Sequence, residues 1–194
     1  MQFKSLTKIV CLLSVAAMSG GSLFAAERGV PVRGCASETS DWNFPSEASQ
    51  LLKEIRSATY RLTANAENLK SFGPGGVGWQ GHANELTQIR EQVNTVGERI
   101  QRLQAIRHVI APWQREAVDS VTPVAVTLAS HTQAAIEYLN DNRNYLWSET
   151  YQDHLKTMAS RAGELKKSVG LHLELAETLE KIEGLRGSVA SLGS

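Results

Sequence analysis

The chain has 194 residues with 20 basic and 20 acidic side chains, so its formal net charge at pH 7 is zero. The charges are spread singly and no basic block occurs, which argues against a nucleic-acid-binding surface. Beyond the first 26 residues, no apolar run is long enough for a membrane span, and the remaining length suits a single domain with one core.

The first 26 residues have the pattern of a secretory signal peptide. Lys4 and Lys8 provide a positive start, and the apolar run at 9–18 is too short to span a bilayer as a stable helix. Small residues follow, and cleavage after Ala25 or Ala26 fits this pattern best. We therefore expect residues 1–26 to be removed and the mature protein to be periplasmic or secreted.

The segment 27–44 is rich in glycine, proline, serine and charge and has no apolar period. It is predicted to be a disordered or loosely docked arm. Because Cys11 lies in the signal peptide, Cys35 is the single cysteine that remains after cleavage. An internal disulfide is then excluded, and a homodimer linked through Cys35 is one partner hypothesis.

From Ser46 onward, apolar or weakly polar residues recur at alternating steps of four and three. This spacing keeps one side chain per turn on a single stripe of a helix, as in the seam of a coiled-coil-like bundle. The four series are Ala48, Leu52, Ile55, Thr59, Leu62, Ala66 and Leu69; His82, Leu86, Ile89, Val93, Val96, Ile100 and Leu103; Ala117, Val121, Val124, Leu128, His131, Ala135 and Tyr138; and Tyr151, Leu155, Met158, Ala162, Leu165, Val169 and His172.

Helix-breaking residues separate these four series. The glycine-rich stretch 73–78, the pair Ala111-Pro112 and the polar stretch 140–144 end the first three helices, and Ser148 is placed to cap the fourth. Short connections make sequential helices antiparallel. The sequence therefore predicts an all-α, antiparallel up-down four-helix bundle over 45–187, followed by a frayed tail at 188–194.

The fourth helical series continues past Gly170 with Leu171, Leu175, Leu179 and Ile182. Helix four is therefore predicted either to project beyond the bundle or to bend at that glycine. Each of the four tryptophans, Trp42, Trp79, Trp113 and Trp147, lies near a predicted helix start, where the indole ring is expected to close an end of the bundle.

Sequence signatures of catalytic and metal centres are missing. No glutamate has a histidine three residues later, and His-x-x-x-His and Cys-x-x-Cys-His do not occur. No serine or threonine has a catalytic motif around it. We therefore predict no enzyme activity and no metal site.

His131 and Met158 lie at the same predicted depth on neighbouring helices, and such a pair can bind a non-covalent haem. The alternative is that His131 is a core histidine with one ring nitrogen bonded to a neighbour, while Met158 fills a gap. The stripes have few small residues to make room for a porphyrin, so we favour packing and predict no cofactor.

These patterns predict a non-enzymatic extracytoplasmic protein that presents helix faces to another macromolecule, as an interaction or scaffold module. The partner is not specified by the sequence. The alternative is a bundle that binds a small ligand or a non-covalent haem in its core, through His131 and Met158.

Overall fold

The computed structural model describes residues 43–72 and 76–192. They form four helices: α1 (Phe44–Lys70), α2 (Trp79–Ala105), α3 (Pro112–Asp141) and α4 (Glu149–Leu192). The predicted signal peptide, the arm up to residue 42 and Cys35 lie outside the described residues. So do residues 73–75, within the first predicted turn, and the last two residues of the predicted tail.

The helix starts lie where the sequence provides capping groups. Asn43 accepts a hydrogen bond from the backbone N–H of Ser46 at 3.1 Å. Pro112 occupies the first position of α3, where its missing N–H costs no helical hydrogen bond. Ser148 accepts a hydrogen bond from the N–H of Tyr151 at 3.2 Å, as predicted for the cap of the fourth helix.

Side-chain contacts between the helices show their relative directions. Asn68 donates to Glu85 at 2.9 Å and Arg102 donates to Glu47 at 2.6 Å, so the order of the partners on α2 is reversed relative to α1. Side-chain contacts show the same reversed order of partners for three further helix pairs, which are α2 with α3, α3 with α4 and α1 with α4. Both α1 and α3 pack against α2 and α4. The predicted antiparallel up-down four-helix bundle is confirmed.

The predicted stripes form the core. Every position of the α1 series is buried, and most positions of the other three series are buried as well. The half-buried positions are Val93, Val124, His131, Tyr138 and His172. The alternating steps of four and three therefore identify the core-facing side of each helix.

One buried amide links the starts of α1 and α3. Gln114 is 1% exposed, and its side-chain oxygen accepts from the N–H of Ala111 at 2.9 Å. Its side-chain nitrogen donates to the carbonyl of Pro45 at 2.7 Å and to the hydroxyl of Ser49 at 2.9 Å. These hydrogen bonds satisfy a polar group that would otherwise be costly to bury.

The fourth helix is much longer than the others, with 44 residues. It continues through Gly170 without a break, and every residue from Glu177 to Val189 is exposed. Of the two predicted alternatives, the structure therefore has the helix that extends beyond the part packed in the bundle. The helix also passes through residue 188, where the frayed tail is predicted to begin.

Substitutions in the core test the packing register. Changing Leu86, Ile100, Leu128 or Leu165 singly to alanine should lower the free energy of unfolding by about 2–5 kcal/mol, because each change leaves a cavity. Changing the exposed Lys167 to alanine should have little effect. Urea unfolding measures both groups, and equal losses in the two would contradict the register.

Candidate functional site

A polar pair lies within the apolar core at the end of the bundle where α2 and α4 begin. His82 is 2% exposed and Tyr151 is fully buried, and the His82 Nδ1 atom lies 3.0 Å from the Tyr151 hydroxyl. The ring of Phe72 meets His82 edge-on, and the ring of Tyr138 stacks on Tyr151. The hydrogen bond joins α2 to α4 across the core.

Local sequence places both members of this pair. Tyr151 lies in the first turn of α4 because Ser148 caps that helix. His82 lies in the first turn of α2, next to Gly81. A Cβ atom on Gly81 would overlap the side chain of Val77, so glycine is needed for the connection before α2 to pack this closely.

A shallow cavity of about 300 Å³ opens beside this pair. His82 is one of its lining residues, and Trp79 and Trp147 also line it. The guanidinium of Arg143 lies over the Trp79 ring, 4.6 Å from its centroid, which is a cation–π contact. Trp147 is 57% exposed, so it does not close the bundle end as the sequence suggests, because it belongs to the turn that precedes α4.

Burial keeps both members of the pair uncharged near neutral pH. Burial lowers the pKa of His82 and raises the pKa of Tyr151, because the apolar surroundings disfavour the charged form of each group. The arrangement therefore suits a neutral hydrogen bond that fixes the register of two helices.

The lowered pKa of His82 makes stability depend on pH. Unfolding restores an ordinary histidine, so the unfolded chain binds a proton more readily than the folded protein. The free energy of unfolding should then decrease as the pH falls below about 6.5, until the folded protein is protonated as well. Replacing His82 with asparagine should lower stability at pH 7.5 but reduce the further loss between pH 7.5 and 5.

Urea unfolding midpoints at the two pH values measure this effect. The exposed His108 gives the matched control, and His108→Asn should keep the pH dependence of the native sequence. If His82→Asn also kept it, acid sensitivity would arise elsewhere in the molecule.

A second histidine contact joins α3 to α4. The Nδ1 atoms of His131 and His154 lie 3.0 Å apart, with the rings tilted by 60°. Both side chains are half-buried. Burial, followed by electrostatic interactions with His154 and Arg161, lowers the pKa of His131. The sequence does not indicate this contact, because depth along the helix axes places His131 level with Met158.

Met158 has a different environment from His131. It is fully buried and belongs to the hydrophobic core, whereas His131 is half-buried and bonded to His154. In the described structure each of the two residues of the haem alternative thus has a packing or hydrogen-bonding role of its own.

The haem alternative has a direct test. Haem added to the purified protein should give no stoichiometric Soret band, because the core around Met158 is filled by side chains. Absorption spectra of the native sequence, His131→Leu and Met158→Leu check this expectation. A tight band in the native protein that both substitutions remove would establish the axial pair instead.

A group of hydroxyls and a histidine lies further along the α3–α4 interface. The hydroxyl of Ser120 is 3.0 Å from the Ser168 hydroxyl, 3.0 Å from His172 Nε2 and 3.0 Å from the carbonyl of Ala117. Ser120 precedes Pro123 by less than one turn of α3, in a stretch where the proline removes a backbone donor. No sequence motif marks this group, because Ser168 and His172 lie 48 and 52 residues after Ser120. The group satisfies polar atoms between the helices.

The outer side of α4 exposes a series of apolar residues. They run along one side of the helix, and their exposed fractions range from 41% to 70%. The residues are Leu171, Leu175, Leu179, Ile182, Leu185 and Val189. We refer to the face defined by these six residues as the α4 outer face.

Two kinds of feature are missing from the described residues. Within 43–72 and 76–192, no helix combines the length and apolarity that crossing a membrane requires. In the same part of the chain, no group of three or more histidine, cysteine, aspartate and glutamate side chains is arranged to hold a metal ion.

Comparison of the chain with protein-family models, curated proteins and solved structures finds no match.

Proposed function

We propose that this protein is a non-enzymatic, extracytoplasmic interaction module that binds an α-helix of another macromolecule on the α4 outer face. The observation that carries the proposal is this face, which exposes six large apolar side chains on one side of a single helix. Exposed contiguous apolar surface is typical of interaction sites. The signal-peptide pattern of residues 1–26 supports a location outside the cytoplasm.

The spacing within this face suits a partner helix. With Thr178 in place of Leu179, the spacing follows steps of four, three, four, three and four. We refer to this series as the seam, and its residues are Leu171, Leu175, Thr178, Ile182, Leu185 and Val189. Such a series keeps a narrow seam on one side of a helix and is the pattern that packs against another helix. From first to last residue the seam is about 27 Å long, at 1.5 Å per residue.

The bundle does not use this seam. Leu173 and Ala176 are buried, whereas Leu171 and Leu175, at the same levels of α4, are 55% and 44% exposed. At 100° per residue, the two pairs point to opposite sides of the helix. The seam is therefore a second apolar side of α4, and it is available for binding along its whole length.

Charge on the flanks of the seam indicates the chemistry of the partner. Lys181 and Arg186 flank the distal half of the seam on opposite sides, whereas Glu174, seven residues before Lys181, flanks its proximal half. The glutamates at 177, 180 and 183 lie towards the back of the helix. Flanking charges of two paired helices approach each other and select the partner. The distal half of the seam therefore fits a partner helix whose apolar stripe is flanked by acidic residues.

The same charges disfavour pairing of the seam with a second copy of this chain. In an antiparallel pair with all layers matched, Lys181 would approach Lys181 of the second copy. In a parallel pair, Lys181 would approach Arg186 of the second copy. Both directions bring like charges together, and this costs free energy.

Synthetic peptides test the proposal. One peptide has leucine at every seam position and glutamate on both flanks, and a matched peptide has lysine on the flanks. The protein should bind the glutamate peptide at least about tenfold more tightly in fluorescence anisotropy, and added salt should reduce this preference. Equal binding of the two peptides would contradict the charge argument.

A matched pair of substitutions tests the face itself. Ile182→Gln should weaken binding of the glutamate peptide at least about tenfold, and Glu180→Gln, on the opposite side of α4, should leave it unchanged. Both positions are exposed, so the fold should tolerate both changes. If sedimentation equilibrium showed instead a dimer that Ile182→Gln dissociates, a second copy would be the occupant.

A further inference from the structure

The contact between His131 and His154 brings two metal-ligating atoms together at the surface of the α3–α4 interface. Their Nδ1 atoms are 3.0 Å apart, and both side chains are half-buried, so solvent reaches the pair. The two residues are 23 positions apart and come from different helices. No step of the proposed helix binding uses them.

The distance between the two nitrogens can be compared with the geometry of metal coordination. Imidazole nitrogens bind a divalent transition metal at about 2.0–2.1 Å. With the nitrogens 3.0 Å apart, the angle at the metal would be about 95°. Tetrahedral coordination would need a separation of about 3.3 Å at the same bond length. The observed separation therefore fits neighbouring ligands at a right angle.

We propose that His131 and His154 form a two-histidine site for a divalent transition-metal cation, with Cu(II) bound most tightly. Right-angled nitrogen ligands suit the tetragonal coordination of Cu(II), and Cu(II) has the highest affinity of the first-row divalent ions. Water supplies the remaining ligands from the solvent side. The site thus needs only two protein ligands.

Binding requires both Nδ1 atoms to offer a lone pair. In the hydrogen bond of the metal-free pair, one neutral ring carries its proton on Nδ1 and the other ring accepts it. On metal binding the donor ring keeps its proton, now on Nε2, and both rings turn so that the lone pairs of the two Nδ1 atoms converge on the cation. No proton is lost overall, and both rings remain neutral.

Charged side chains near His131 and His154 affect how tightly the pair binds a cation. Arg161 is close enough to lower the pKa of His131, and the same positive charge opposes a bound cation. Glu164 forms an ion pair with Arg161 and offsets part of this charge, while Asp153 next to His154 is paired with Lys156. We therefore expect a site of moderate affinity in which Arg161→Gln strengthens metal binding.

Copper titration of the untagged protein tests the proposal. Isothermal titration calorimetry should show one Cu(II) per chain, and the electron paramagnetic resonance spectrum should show two coordinated nitrogens. His131→Ala and His154→Ala should each weaken binding at least about tenfold. His108→Ala, in the exposed turn between α2 and α3, should leave binding unchanged.

A second measurement needs no substitution and therefore does not depend on the variants folding. Substoichiometric Cu(II) should broaden the ring-proton NMR signals of His131 and His154 before those of His82, His108 and His172. Binding that persists in the His131→Ala/His154→Ala double variant would overturn the proposal. So would an absence of saturable binding or uniform broadening of all five histidines, and the pair would then be a hydrogen bond only.

Discussion

The structure depends on the burial of one apolar stripe from each helix against the other three. Alternating steps of four and three place one residue of every turn in this shared core. A polar group on a stripe must then find a partner inside the protein, because an unpaired buried polar group costs about 1–3 kcal/mol. His82 bonds to Tyr151, and Gln114 bonds to the carbonyl of Pro45. Each of these contacts therefore holds one layer of a helix opposite a particular layer of another helix.

The fourth helix has apolar residues on two sides, and only one of these sides is buried in the bundle. Up to Val169 its apolar residues form a single stripe that is buried, and from Leu171 a second series begins on the outer side. Two stripes on opposite sides of a helix cannot both face the same bundle. The helix also continues beyond the bundle, where Ile182 and Leu185 have no neighbouring helix of the described chain to pack against. Exposed contiguous apolar surface of this kind is typical of interaction sites.

The helices, their breaks and the buried side of each could be predicted from the sequence, because spacing and capping residues act locally. Contacts that depend on the relative placement of two helices could not. Counting depth along the axes places His131 level with Met158, but its ring contacts His154, one turn away on α4. Such a count treats each residue as a point on the helix axis. A side chain as long as that of histidine can reach a residue that lies one full turn away on the next helix. The outer face was visible in the sequence as Leu171 and Ile182, but spacing alone does not tell a bundle stripe from an exposed one.

The two proposed sites share α4 but should act independently. His154 and Leu171 are 17 positions apart, which is about 25 Å along α4. A cation at His131 and His154 would strengthen the contact between α3 and α4 within the bundle, but it would not touch the outer face. A ligand changes the affinity of a second site only if it binds differently to two states of the protein. The described structure has one conformation of α4, a continuous helix that contributes to both sites. Metal binding should therefore stabilise the bundle without changing its affinity for a partner helix.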